Sequence, residues 1–205
     1  PAPSDPRSSL ALNHYASGIG RLLSRTGWDA NARWFNYHLG WNGIDHQMGT
    51  GNMFDFYRKG EWLTKQWSGY GAYSSASAYK NTLALENDPP QTGISFWNAN
   101  ASSGSQFSYG PGGDPQWLAH SFGDGYTYAS GEARNLYNNP AAQSTDILEA
   151  KRSVIWLQPD TIVVYDRAAS KTAGRYKRFW LSLPTAPVIN GKRATMTTVS
   201  GQQLV

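Results

Sequence analysis

Apolar and polar residues alternate with a period of two along much of this chain, the pattern of half-buried strands. Over Asn31–Gly40 the apolar positions are Trp34, Phe35, Tyr37 and Leu39. Asn52–Gln66 reads as a hairpin: Phe54 and Phe56 alternate with Asp55 and Tyr57, Lys59-Gly60 turns, and Glu61-Trp62-Leu63-Thr64 returns. The clearest strands are Arg152–Gln158 and the β-branched Thr161–Arg167, joined by Pro159-Asp160 with Pro as the first central turn residue. Arg175–Leu183 alternates Tyr176, Arg178 and Trp180 against Lys177, Phe179 and Leu181. A short helix is suggested only around Gly18–Ser24. Residues 87–116, rich in Asn, Ser, Gly and Pro, read as a long surface loop with one short strand near Ile94–Trp97. The last residues, Gln202–Val205, fall within strand-like sequence, as in a fragment of a larger chain. No internal repeat or clean boundary appears. The pattern predicts a Pro-rich linker over residues 1–12 and an all-β domain over 13–205. That domain is an antiparallel β-sandwich with a long polar loop and little helix.

Composition agrees and removes alternatives. The 205 residues include 21 Gly and 11 Pro, with 14% aromatic and 16% charged side chains, which excludes wholesale disorder and long helices. No run approaches 18 apolar residues, so no membrane helix is expected. With no cysteine, disulfide scaffolds, thiolate metal sites and thiol nucleophiles are excluded. Net charge is +4, spread thinly. An ordinary solvated surface, nucleic acid or an acidic polysaccharide would each fit scattered Arg and Lys among Trp and Tyr; the first is the plainest reading and nucleic acid is not the expected partner.

Four histidines are present: His14, His38, His46 and His120. His46 stands out because it lies in the polar, glycine-rich stretch Gly43–Asn52, where backbone can come close to a ligand or to another strand. A tight turn capped by His46 is the plain structural alternative.

Three segments carry a resemblance. Asp45-His46-Gln47-Met48-Gly49 running into Phe54–Tyr57 and Gly60-Glu-Trp-Leu63 resembles the central segment of the heparinase II/III-like polysaccharide lyases. There a His-x-His-x-Asp-like stretch enters a strand and then Gly-x-Trp-Leu. Tyr79-Lys80-Asn81-Thr82-Leu83 resembles that family's His-Asn-Thr strand, and Arg152–Arg167 its Pro-Asp hairpin. The resemblance implies the sandwich half of a two-part enzyme that cleaves uronate-containing acidic polysaccharide by β-elimination. An α/α toroid would supply the remaining acid/base groups. Alone, the chain would be catalytically incomplete, and a non-catalytic carbohydrate-binding or structural module is the alternative. A periplasmic or secreted location goes with such a substrate.

By the same resemblance, His46 is the catalytic residue of this half, and Asp166-Arg167 is a structural strand-end ion pair. The family's zinc ligands are replaced: Met48 and Lys80 stand at two histidine positions, and Thr64-Lys65-Gln66 offers no carboxylate. An ammonium has no lone pair to give, so no metal cofactor is expected and Lys80 supplies the positive charge. Arg58 could neutralise a uronate carboxylate through its bidentate fork. Trp67, Tyr70 and Tyr73 could stack on sugar rings, whereas Trp62 reads as core packing.

Overall fold

The computed structural model describes residues 5–40, 49–67, 77–88, 103–107 and 112–205. Two antiparallel meanders face each other. The first has the order β1-β2-β3-β4-β5, formed by Asn13–Ala16, Arg21–Arg25, Arg33–His38, Met53–Arg58 and Glu61–Thr64. The second has the order β10-β9-β8-β7; these are Thr161–Ser170, Ile147–Leu157, Tyr126–Glu132 and Gln116–Gly123. β6 (Leu83–Leu85) pairs with β11 (Lys177–Phe179), and β12 (Val188–Asn190), β13 (Arg193–Thr197) and β14 (Gln203–Leu204) form a small third layer. One short helix, α1 (Arg134–Tyr137), follows β8.

The core lies between the two meanders. Leu22, Phe35, Tyr37, Phe54 and Phe56 from the first meet Ala129, Ala150, Val154 and Trp156 from the second, all at most 3% exposed. The indole of Trp156 sits 6.0 Å from the Phe35 ring and 5.7 Å from the Phe56 ring. Gly131 lets the sheets approach: a Cβ there would lie 2.6 Å from Asn52 Oδ1 and 2.9 Å from the Tyr37 hydroxyl.

One cation is sealed between the two meanders. Arg152 is fully buried; it binds both carboxylate oxygens of Asp166, at 2.7 and 2.9 Å. Its Nη1 donates to the carbonyls of Asn52 and Asn81, at 2.9 and 2.8 Å, and its guanidinium lies 4.7 Å from the Phe179 ring centre. Every face of the cation is thereby used, which is the condition for burying one at all. The ion pair expected between the neighbours Asp166 and Arg167 does not form. Adjacent strand residues point to opposite faces, so Asp166 meets Arg152 across β9 and Arg167 binds Glu149.

Other details depart from expectation, while one expected turn is kept. Gly18–Ser24 is a 3-10 turn, Ser17–Ile19, followed by β2, because Leu22 and Ser24 are buried in alternation with Arg21, Leu23 and Arg25. The β4–β5 link is the two-residue Lys59-Gly60 turn, with φ of 48° and 83°. The β9–β10 link is three residues, Gln158-Pro159-Asp160, with the Gln158–Pro159 peptide cis. In the 87–116 stretch, the described Asn87, Ser105, Gln106 and Phe107 are buried. Gln106 is bonded in place by Gly51 and Tyr137. These parts line the core and are not surface loop; the strand expected at Ile94–Trp97 lies outside the described residues. Residues 5–12 are tied to the sheet by Arg25 N–H on the Leu12 carbonyl at 3.0 Å and the Trp28 indole on the Leu10 carbonyl at 3.3 Å.

Candidate functional site

Strand alternation gives the first meander a second face, turned away from the core. Register aligns Arg25, Trp34, Tyr57 and Trp62 in one row across it; Leu23, Asn36 and Asp55 form the next; Arg21, His38 and Met53 the third. Trp62 packs edge-to-face against Trp34 and Tyr57, each at 5.3 Å, so it is packed as expected, but on this outer face and not between the sheets. Among the described residues, Arg21 Nε, Arg25 Nε and Asn36 Oδ1 are buried here without a hydrogen-bond partner, as is Gln66 Oε1 just past β5. Buried polar atoms are normally satisfied, so orphans such as these mark where water or a ligand belongs.

At the far end of the rows, His38 Nε2 bonds the Ile19 carbonyl at 3.2 Å and must carry the proton, so Thr50 donates its hydroxyl to Nδ1 at 2.8 Å. Burial, reinforced by Arg21, pushes the imidazole down to about 4. This neutral His38–Thr50 pair joins the two ends flanking residues 41–48. His46 and Met48 lie in that stretch, outside the described residues, as do Tyr70 and Tyr73.

The β5 exit is held by its backbone. Lys65 N–H donates to the Ser182 carbonyl at 3.0 Å, Gln66 N–H to Asp55 Oδ1 at 3.2 Å, and Trp67 N–H to the Tyr79 carbonyl at 2.9 Å. Lys80 Nζ donates to the Trp67 carbonyl at 2.9 Å. Asn81 joins the parts: its amide donates to Asp55 Oδ1 and the Phe54 carbonyl, both at 2.8 Å, and accepts from Ser182 N–H at 2.6 Å. Lys80 is 1% exposed. Burial pushes it down to about 8, a shift that the Asp55 carboxylate opposes. Burial raises Asp55 in turn, against hydrogen bonds from Gln66, Asn81 and Asn36. Beside this cluster a groove of about 510 Å³ is lined by Lys65, Gln66, Trp67, Tyr79, Ser182 and Pro184, among others. Trp67 is 65% exposed in it, edge-on to Tyr79 at 6.0 Å.

The structure thus brings Trp67 and Lys80 together and separates Arg58 from them. Arg58 shares side-chain parity with Phe54 and Phe56 and turns toward the opposite sheet. Its Nη1 is 3.2 Å from Asp160 and its Nε 2.9 Å from Gln202 Oε1, so its fork is occupied. Asp55, Gln66 and Asn81 were not foreseen as site residues. A carboxylate between two core phenylalanines in Phe54-Asp55-Phe56 was the available signal for Asp55.

A zinc ion does not fit the described residues at Lys80. The ammonium already donates to a carbonyl, and among the described residues no three His, Asp or Glu side chains converge.

Neither a family model nor a curated protein matches this sequence. Solved structures do match in fold. The heparan sulfate lyase HepC from Pedobacter heparinus aligns over 94% of this chain at 18% identity, with a TM-score of 0.66 (0.68 for its mutant). The heparinase III product BT4657 aligns over 94% at 13% identity and 0.67. A further heparinase III aligns over 90% at 15% identity and 0.58. The fold is that of the heparinase III proteins. The likeness is one of fold, nearly all β, and the chain spans 27–28% of the length of these chains.

Proposed function

We propose that this chain is the β-sandwich part of a polysaccharide lyase acting on uronate-containing acidic polysaccharide, completed by an α/α toroid. The observation that carries the reading is the alignment of 94% of the chain on heparan sulfate lyase HepC. The orphaned polar atoms on the outer sheet face and the aromatic, cationic groove beside it support a polar, anionic ligand. β-Elimination removes the proton α to the uronate carboxylate while the leaving glycosidic oxygen is protonated. In this reading His46 is the catalytic residue contributed by the sandwich, and the toroid contributes the remaining acid/base groups. Cationic side chains lower the charge cost of forming the carbanion, and no zinc site is proposed at Lys80. A polymer substrate implies a periplasmic or secreted setting.

The competing reading is a carbohydrate-binding module without lyase chemistry, favoured by Met48, Lys80 and the carboxylate-free Thr64-Lys65-Gln66 where the resemblance expects metal ligands. The experiment that separates them incubates the full-length protein with alginate, heparin, chondroitin and ulvan while following ultraviolet absorbance of the unsaturated product. The lyase reading expects absorbance to rise on one polymer, His46→Ala to abolish the rise, and binding to survive. Retained binding on affinity gels with no rise on any polymer selects the binding module.

A further inference from the structure

We infer that the groove at the β5 exit is a subsite for one anionic sugar residue, with the ring stacked on Trp67 and its acidic group paired to Lys65. Gln66 Oε1 accepts a sugar hydroxyl. This inference rests on the acidic-polysaccharide reading above and names the part of the surface that does the holding.

Three independent observations carry it. The first is the state of Trp67. A 65%-exposed indole is a costly group to leave in water. Yet the residue is fixed in place: its N–H is bonded to Tyr79, its carbonyl to Lys80, and its ring rests edge-on against Tyr79. An exposed aromatic with a pinned backbone loses little freedom on binding, as stacking on the C–H face of a pyranose requires. The second is Gln66 Oε1, buried and without a donor among the described residues. The backbone of Gln66 is anchored on Asp55, so its side chain belongs to a rigid floor whose acceptor a sugar hydroxyl would satisfy.

The third is charge. Lys65 is exposed, it is in none of the ion pairs among the described residues, and none of the described residues lining the groove is acidic. The groove therefore favours a ligand with a carboxylate or sulfate over a neutral one. At about 510 Å³ it has the size of a small-ligand site. Lys80 acts as a positioning residue, since it touches the Trp67 backbone and not the groove.

The test is isothermal titration of the chain with three probes: an alginate tetrasaccharide (carboxylates only), a heparin tetrasaccharide (carboxylates and sulfates) and dextran (neutral). Binding of at least one acidic probe and none of dextran is expected, and the stronger of the two names the acidic group. Trp67→Ala should weaken binding about 10-fold or more, with Trp67→Phe recovering most of it. Lys65→Ala should weaken it several-fold and flatten its salt dependence. Tyr165→Ala, which removes another exposed ring (63% exposed) on the opposite sheet, should change nothing. Unchanged melting temperatures establish that the variants fold. If the wild type binds an acidic probe and Trp67→Ala and Lys65→Ala bind equally well, the subsite is wrong and the domain reading stands. If the wild type binds neither acidic probe, both fail. Tight binding of dextran contradicts the charge argument alone.

Discussion

Two buried cations adjoin Asn81, Arg152 through a hydrogen bond to its carbonyl and Lys80 as its chain neighbour, and they are treated very differently. Arg152, between the sheets, has a bidentate carboxylate, two carbonyls and an aromatic face. Lys80, on the other side of Asn81, has one carbonyl and the field of Asp55, and is pushed down to about 8. Around Arg152 the hydrogen bonding closes; around Lys80 lie an orphaned Asn36 Oδ1, an orphaned Gln66 Oε1 and an exposed tryptophan. The difference separates a charge that holds two sheets in register from one that holds a surface ready for something else. A guanidinium suits the first role because its planar fork satisfies several acceptors at fixed angles, and a compact ammonium suits the second.

The largest effect should come from the closed side. Arg152→Leu strands Asp166 and two carbonyls, and a loss of about 3–5 kcal/mol in denaturant unfolding is expected; a loss below 1 kcal/mol would mean that the sheets do not depend on this pair. Next comes acid. His38 is neutral in the fold down to about 4 but titrates near its ordinary value when unfolded, so the unfolded chain binds the extra proton. Stability should therefore be constant with respect to this group above about pH 6.5 and fall between there and pH 4, by up to about 3 kcal/mol. His38→Gln should flatten that limb. At the open side the sign is the same and the window is alkaline. Lys80 loses its proton near 8 in the fold but near 10.5 when unfolded, so wild-type stability should rise from pH 8 toward 10. Lys80→Met should abolish the rise, cost about 1–3 kcal/mol at neutral pH by leaving the Trp67 carbonyl and Asp55 without their cation, and weaken glycan binding through Trp67. The smallest effect is expected at the Arg33–Asp160–Arg58 cluster, which is part-exposed at the strand ends; Asp160→Asn should cost about 1 kcal/mol or less in the same unfolding assay.

Sequence alone revealed the elements with strong local chemistry. The β4–β5 hairpin was legible because aromatic alternation and Lys59-Gly60 agree, and β9–β10 because Thr161–Tyr165 is β-branched and Pro159 breaks the run. The β7–β8 hairpin was missed although Asp124-Gly125 sits at its turn with Gly125 at φ 76°. Its strands carry Ala, Ser, His and Gly at positions where a strand former would have announced itself. For the site, Trp67 and Lys80 could be singled out, but not their relation, because a lysine's bond to a carbonyl 13 residues away depends on β5 and β6 being brought together. Asp166 was likewise paired in expectation with its neighbour Arg167 and not with Arg152: neighbours in sequence attract attention, while ion pairs across a sheet follow register.

The contrast between the closed and open cations is tested most directly by titrating ¹⁵N-labelled chain with the acidic tetrasaccharide that binds and following the indole N–H resonances. The account predicts that the Trp67 indole shifts in a saturable way while that of Trp156, fully buried and bonded to the Pro159 carbonyl, stays fixed. A stationary Trp67 resonance with saturable shifts confined to Tyr165 and its sheet would contradict it.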